Sequence, residues 1–120
     1  MSYVDGFLLS VPEAKLPEYI KLAKTANKVW QKHGALGYFE CQGDDLEIEG
    51  TVSFNKVAKP KAGEVIIFSF ILYKSRKHRD QVNKKVMADP DLKCDPNNLP
   101  FDSKRMAYGG FKAIVEYLAK

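Results

Sequence analysis

The chain has 120 residues, 45% of them hydrophobic, with a formal net charge of +4. That length fits one domain able to bury a core without metal or disulfide staples, and the composition excludes a disordered or fibrous chain. The charge is too small to name an anionic partner. The longest apolar run, nine residues, is too short for a membrane span. The first six residues show neither the basic start nor the small-residue cleavage site of a secretion signal, so a cytoplasmic location is expected.

Tyr3 to Val11 alternates Tyr3, Asp5, Phe7, Leu9 and Val11 against Val4, Gly6, Leu8 and Ser10, the period of a strand. A helix is predicted from about Leu16-Pro17, with Pro17 in its first turn. Tyr19, Ile20, Ala23, Ala26, Asn27 and Trp30 form its inner stripe, Lys21, Lys24, Lys28 and Lys32 face outward, and Gly34 terminates it. Ala35 to Gln42 reads as a second strand. The polar tract from Gly43 to Gly63 has the length of a lid or partner-contact loop, with one short helical turn after Ser53 that includes Phe54, Val57 and Ala58. Glu64 to Tyr73 is the third strand. Ser75 caps a second long helix running to about Ala88, with Val82, Val86 and Met87 as its narrow apolar side and Asp89-Pro90 as its stop. Asp95 to Pro100 has loop chemistry. The fourth strand is predicted from about Arg105 to Tyr117, with Gly109-Gly110 marking a bulge or the close approach of another backbone.

The order β-α-β-β-α-β, with right-handed crossovers, makes a single α+β domain: a ferredoxin-like plait, a four-stranded antiparallel sheet with both helices on one face. The third strand is apolar on both sides. Ile66, Phe68, Phe70 and Leu72 face one way; Val65, Ile67, Ile71 and Tyr73 face the other, with Ser69 the one polar exception. Two helices roof one side only. Leaving the other side wet forgoes roughly 1.5–3 kcal/mol per large side chain, which predicts an isologous homodimer through the open sheet face.

The chain resembles the YbaA-like bacterial family of unknown function. The matching blocks are Tyr3-Val4-Asp5-Gly6-Phe7, Gly34-Ala35-Leu36, Glu40-Cys41, Arg79-Asp80, Asp89-Pro90, Pro100-Phe101-Asp102, Lys104-Arg105-Met106 and Tyr108-Gly109-Gly110-Phe111, while Gly43 to Gly63 departs most. The resemblance implies a plait of the dimeric α/β-barrel kind. That wider superfamily includes small oxygenases that use no metal or flavin, haem-handling proteins and stress-related binders. It brings no catalytic residues with it.

Several residues stand out chemically. Asp5 shares a face with Phe7 and Leu9, where a carboxylate is costly unless paired; it is either a base or ligand anchor, or a structural charge bonded to Arg105 or Lys104. Asp102, Lys104, Arg105 and Tyr108 offer an acceptor, two cations and a phenol to an anionic or carbonyl-bearing molecule, or else tie the Pro100 loop to the sheet. Glu40 beside Cys41 lacks an adjacent histidine to activate the thiol. Cys41 and Cys94 match no zinc or redox spacing and read as small buried apolar residues, with a disulfide as an alternative that nothing demands. Lys74, Arg76, Lys77, His78, Arg79, Lys84 and Lys85 read as a solvated basic face, with phosphate binding as the alternative. His33 reads as a cation closing the first helix, or as a proton-transfer group near the second strand.

No phosphate loop, metal cluster or other cofactor motif is present, and whether the protein is an enzyme is left open by the sequence. The expected function is a homodimeric α/β-barrel protein binding a small apolar or acidic molecule in a cleft beside the open sheet face. Asp5 would serve as base, Arg105 as anion clamp, Tyr108 as hydrogen-bond donor, Asp102 as acceptor, and Phe68 and Phe70 as walls. Two alternatives stand. One is an RNA-binding plait, loosely echoed by Arg105 to Tyr117 but on the fourth strand rather than the third. The other is a non-catalytic assembly protein.

Overall fold

The computed structural model describes residues 1–92, 95 and 97–119; Cys94 and Pro96, on which sequence expectations fell, lie outside them. The elements follow as β1 (Tyr3–Pro12), α1 (Leu16–Lys32), β2 (Gly37–Gln42), α2 (Phe54–Ala58), β3 (Glu64–Tyr73), α3 (Arg76–Met87) and β4 (Ala107–Lys112). Short 3-10 turns, Glu13–Lys15 and Ser103–Arg105, lead into α1 and β4. The strands form one antiparallel sheet in the order β2-β3-β1-β4.

Local chemistry sets the boundaries. Pro17 sits in the first turn of α1, where its missing N–H is no loss. Gly34, at φ 103°, makes the left-handed step after α1 that other residues resist. The Ser53 and Ser75 hydroxyls accept from Asn55 N and His78 N at the starts of α2 and α3. The register places Asp5 between Ile71 and Gly110. Because side chains alternate, Tyr3, Asp5, Phe7, Leu9, Val11 and their partners on β3 face the helices. That side holds the core: Tyr3, Ile71 and Tyr73 against Val29, Val82 and Val86, and Leu9, Val11 and Ile67 against Tyr19.

Several expectations need correction. The buried stripe of α1 is rotated from the one predicted: Val29 is buried and Ile20 is exposed. On α3, Val82 and Val86 are buried but Met87 is not. Arg79 does not belong to the solvated basic face; it turns inward. Strand β4 covers only Ala107–Lys112, because Lys112 pairs with Tyr3, the first residue of β1; past that pair Ala113 N still donates to the Ser2 carbonyl at 3.0 Å, but regular pairing has ended. Neither a bulge nor a second backbone explains Gly110: a Cβ there would fall 2.7 Å from Cε2 of Tyr3, so the glycine makes room for an aromatic ring. Cys41 is exposed rather than buried, on the open side of the sheet opposite Phe68.

The side away from α1 and α3 carries Val4, Gly6 and Leu8 of β1, Phe39 and Cys41 of β2, Phe68, Phe70 and Leu72 of β3, and Ala107, Gly109 and Phe111 of β4. None of these is charged. The Gly43–Gly63 tract partly roofs this side. Helix α2 lies against β1 and β3, the Phe54 ring sits 6.3 Å from that of Phe68, and Ile66 beneath is buried. Beyond α2 the side stays bare, with Phe39 50%, Phe68 44% and Phe111 63% exposed.

Candidate functional site

A cavity of about 160 Å³ lies between α1 and the helix side of the sheet. Leu22, Ala23, Ala26 and Trp30 of α1 line one side; the small alanines leave the space that a larger residue would fill. Phe7, Leu9, Ser69 and Ile71 form the sheet side, and Phe101 and Met106, from the segment before β4, add to the lining. The wall is almost wholly apolar. Ser69, the polar exception in the third strand, is one of its residues.

Tyr19, Tyr38 and Glu40 complete the lining. Tyr19 donates to Oε1 of Glu40 at 2.7 Å and Tyr38 to Oε2 at 2.7 Å, so each carboxylate oxygen already accepts one phenol. Burial, and then the neighbouring Glu40 charge, push both phenols far above the ordinary tyrosine range, so they act as hydrogen-bond donors rather than acids. The Trp30 indole N–H is shared between the Tyr73 hydroxyl and Oδ1 of Asn83, each at 3.1 Å. An adjoining groove shares Tyr19, Ala23, Tyr38 and Glu40 with the cavity and adds Lys24 and Gln42.

The residues predicted from sequence fall into four places. Asp5 and Tyr108 come together on the helix side, but through Arg79: its Nη1 donates to Asp5 Oδ1 at 2.9 Å and to the Tyr108 hydroxyl at 3.0 Å. Neither Arg105 nor Lys104 is the partner of Asp5. Arg105 instead donates to both oxygens of Glu64, at 2.9 and 2.8 Å, and to the Lys59 carbonyl at 3.1 Å, so it is engaged rather than open as an anion clamp. Asp102 accepts from Lys104 N at 3.0 Å and caps the 3-10 turn. Phe68 and Phe70 are on the open side, where with Tyr108 they line a depression of about 490 Å³. His33 bonds Asp89 at 2.7 Å, at the junction of the ends of α1 and α3. Among the described residues no group of three His, Cys, Asp or Glu is placed to hold a metal, and no helix is long and apolar enough to cross a membrane.

Sequence reading did not assemble Tyr19, Tyr38, Glu40 and Ser69. Part of the signal was available. Alternation along β2 puts Tyr38 and Glu40 on one face, and a lone serine in an apolar strand marks a place where a polar group is tolerated. The missing part was which turn of α1 lies over that face.

A family model described as "Protein of unknown function (DUF1428)" matches residues 2–103. The uncharacterized protein YbaA of Escherichia coli strain K12 is 39% identical over 116 residues, covering 97% of this chain and 99% of that protein. Among solved structures, an uncharacterized NIPSNAP domain protein from Burkholderia xenovorans superposes with a TM-score of 0.58 at 12% identity, covering 98% of this chain and 99% of that one. A dimeric ferredoxin-like protein from an uncultured marine organism gives 0.59 at 7% identity, covering 99% and 93%. At these identities the two structures speak to fold alone.

Proposed function

The chain belongs to the DUF1428 family, described as of unknown function, and we propose that it is a homodimeric binding protein that holds one small ring-shaped molecule in the α1–sheet cavity of each protomer. The observation that carries this reading is the cavity itself: about 160 Å³, apolar, with a few convergent polar groups at Ser69, Tyr19, Tyr38 and Glu40. About 150 Å³ of apolar space accommodates a benzene ring.

Pairing through the open sheet face is supported by that face's composition. Its bare residues are apolar and uncharged, so two copies of a basic chain meet there without like charges in contact. The same feature weighs against RNA, which calls for cations beside the stacking aromatics. A second copy also fills the depression around Phe68, Phe70 and Tyr108, which leaves the α1 cavity as the ligand site. The dimeric description of the marine ferredoxin-like protein is consistent with this arrangement.

Trp30 is the only tryptophan and lines the cavity. Its indole N–H resonance therefore reports occupancy. Titration with single-ring compounds shifts it saturably in the wild type and leaves it unmoved in Ala23→Leu, which fills the space while preserving helix propensity. An unmoved resonance in the wild type, or the same shift in a folded Ala23→Leu variant, overturns the reading.

A further inference from the structure

The cavity has a polarity that narrows its occupant. We infer that it selects an aromatic molecule carrying an O–H or N–H donor, neutral or cationic, of the phenol or ring-bearing amine class, and rejects aromatic carboxylates. This rests on the cavity reading above, and it departs from the acidic ligand that the sequence allowed.

The donors and acceptors on the wall set this preference. Among the described residues, four side chains on the cavity wall other than Ser69 carry N or O atoms: Tyr19, Tyr38, Trp30 and Glu40. Three of them are donors already in use. Tyr19 and Tyr38 give their protons to Glu40, and Trp30 gives its N–H to Tyr73 and Asn83. Among the described residues, an incoming carboxylate finds only the Ser69 hydroxyl to bond, no Lys or Arg on the cavity lining, and a Glu40 carboxylate that repels it. The Lys24 ammonium belongs to the adjoining groove, not to the cavity wall.

A donor-bearing ring meets the reverse situation. A carboxylate offers about four lone-pair positions, and the two phenols occupy one on each oxygen. No other side-chain donor among the described residues is bonded to Glu40, so a ligand O–H or N–H reaching it meets an open acceptor, and such charge-assisted bonds are the stronger kind. Ser69 can accept as well as donate, so it does not oppose this choice. The two phenols hold Glu40 from both sides, which fixes the acceptor in place before the ligand arrives.

The test is a titration of four probes near neutral pH, followed by the Trp30 indole resonance in the wild type and in Glu40→Gln. The probes are toluene, phenol, benzylamine and benzoate. Phenol and benzylamine are expected to bind about tenfold or more tighter than benzoate, and Glu40→Gln is expected to shrink that gap to about threefold or less, since the amide carries no charge and offers fewer acceptor sites. Toluene carries no donor and no charge, so it reports on the cavity alone. Benzoate binding as tightly as phenol while toluene binds, or a preference unchanged in a folded Glu40→Gln variant, overturns this inference and leaves the cavity reading standing. Silence of all four probes in the wild type overturns both.

Discussion

Arg79 organises the buried polar side of the sheet. Its side chain is 14% exposed and that of Asp5 only 1%. Nη1 serves Asp5 and Tyr108 together, Nη2 reaches the Tyr3 hydroxyl at 3.5 Å, and the guanidinium carbon lies 5.0 Å from the centre of the Tyr3 ring. Nε is 2.9 Å from Asp80 but poorly aligned for a hydrogen bond. Asn83 adds a longer bond to Asp5, at 3.4 Å. Removing the cation strands a buried carboxylate, so Arg79→Met should lose about 3–5 kcal/mol in urea unfolding. Arg79→Lys should recover only part of this, because an ammonium cannot reproduce the planar fork, and Asp5→Leu/Arg79→Met should be more stable than Arg79→Met alone. An Arg79→Met variant within about 1 kcal/mol of wild type would remove the pair from any account of stability. This site also shows what residue-level reading can reach. Strand alternation correctly turns Asp5 toward the helices and demands a partner for it. It cannot name that partner, because the partner arrives from a helix whose rotation is set by packing. The run of basic residues on α3 masked Arg79, which faces inward.

At the scale of elements, α2 acts as a partial roof with a defined fastening. Arg105 links its last turn to the start of β3, through the Lys59 carbonyl and the Glu64 carboxylate. Chiefly by its hydrogen bonds with Arg105, and further by the Lys61 backbone N–H, Glu64 is drawn from an ordinary 4.5 to about 2. A carboxylate depressed on folding contributes stability that is complete above its unfolded value and vanishes as pH falls through its folded value. Arg105→Met should therefore lower stability at neutral pH, and the gap between wild type and variant should close between pH 4.5 and about 2. The gap is the proper observable. Asp89, held low first by Lys32 and then by the Asp91 N–H and His33, also loses stabilisation in acid, but does so in both proteins. Equal gaps in urea midpoints at pH 7 and at the acid limit would rule out the fastening. The sequence carried the existence of α2, through Ser53 and the spacing of Phe54, Val57 and Ala58. It did not carry its docking, since Arg105 and Glu64 lie 41 positions apart. The early end of β4 was hidden for a related reason: apolar alternation continues past Lys112, but strand length is decided by the neighbour, and β1 begins only at Tyr3.

For the whole molecule, the central question is what covers the open side. The apolar faces of the third strand were plain in the sequence, and so was the shortage of helices to cover them. What the sequence withheld is that α2 covers one end, over Ile66, and leaves Phe39, Phe68 and Phe111 bare. Ile114, Val115, Tyr117 and Leu118, following β4, are bare as well. A protomer with this much exposed hydrocarbon gains from a partner of the same shape, since burying each such side chain is worth roughly 1.5–3 kcal/mol before the cost of association. Phe68 is the critical position, because it borders both the α2 roof and the bare region. In a two-fold pairing, Phe68→Glu places two carboxylates in one apolar interface, and burying unpaired charge is prohibitive. Wild type should sediment at twice 13.6 kDa and Phe68→Glu at 13.6 kDa, with a thermal midpoint that rises with concentration for the wild type only. The ligand-induced shift of Trp30 should survive in Phe68→Glu, because the α1 cavity is on the opposite side of the sheet. A wild-type protein that stays at 13.6 kDa at every concentration defeats the pairing while leaving the cavity untouched. Loss of ligand binding on dissociation would instead mean that the cavity needs the second protomer to be complete.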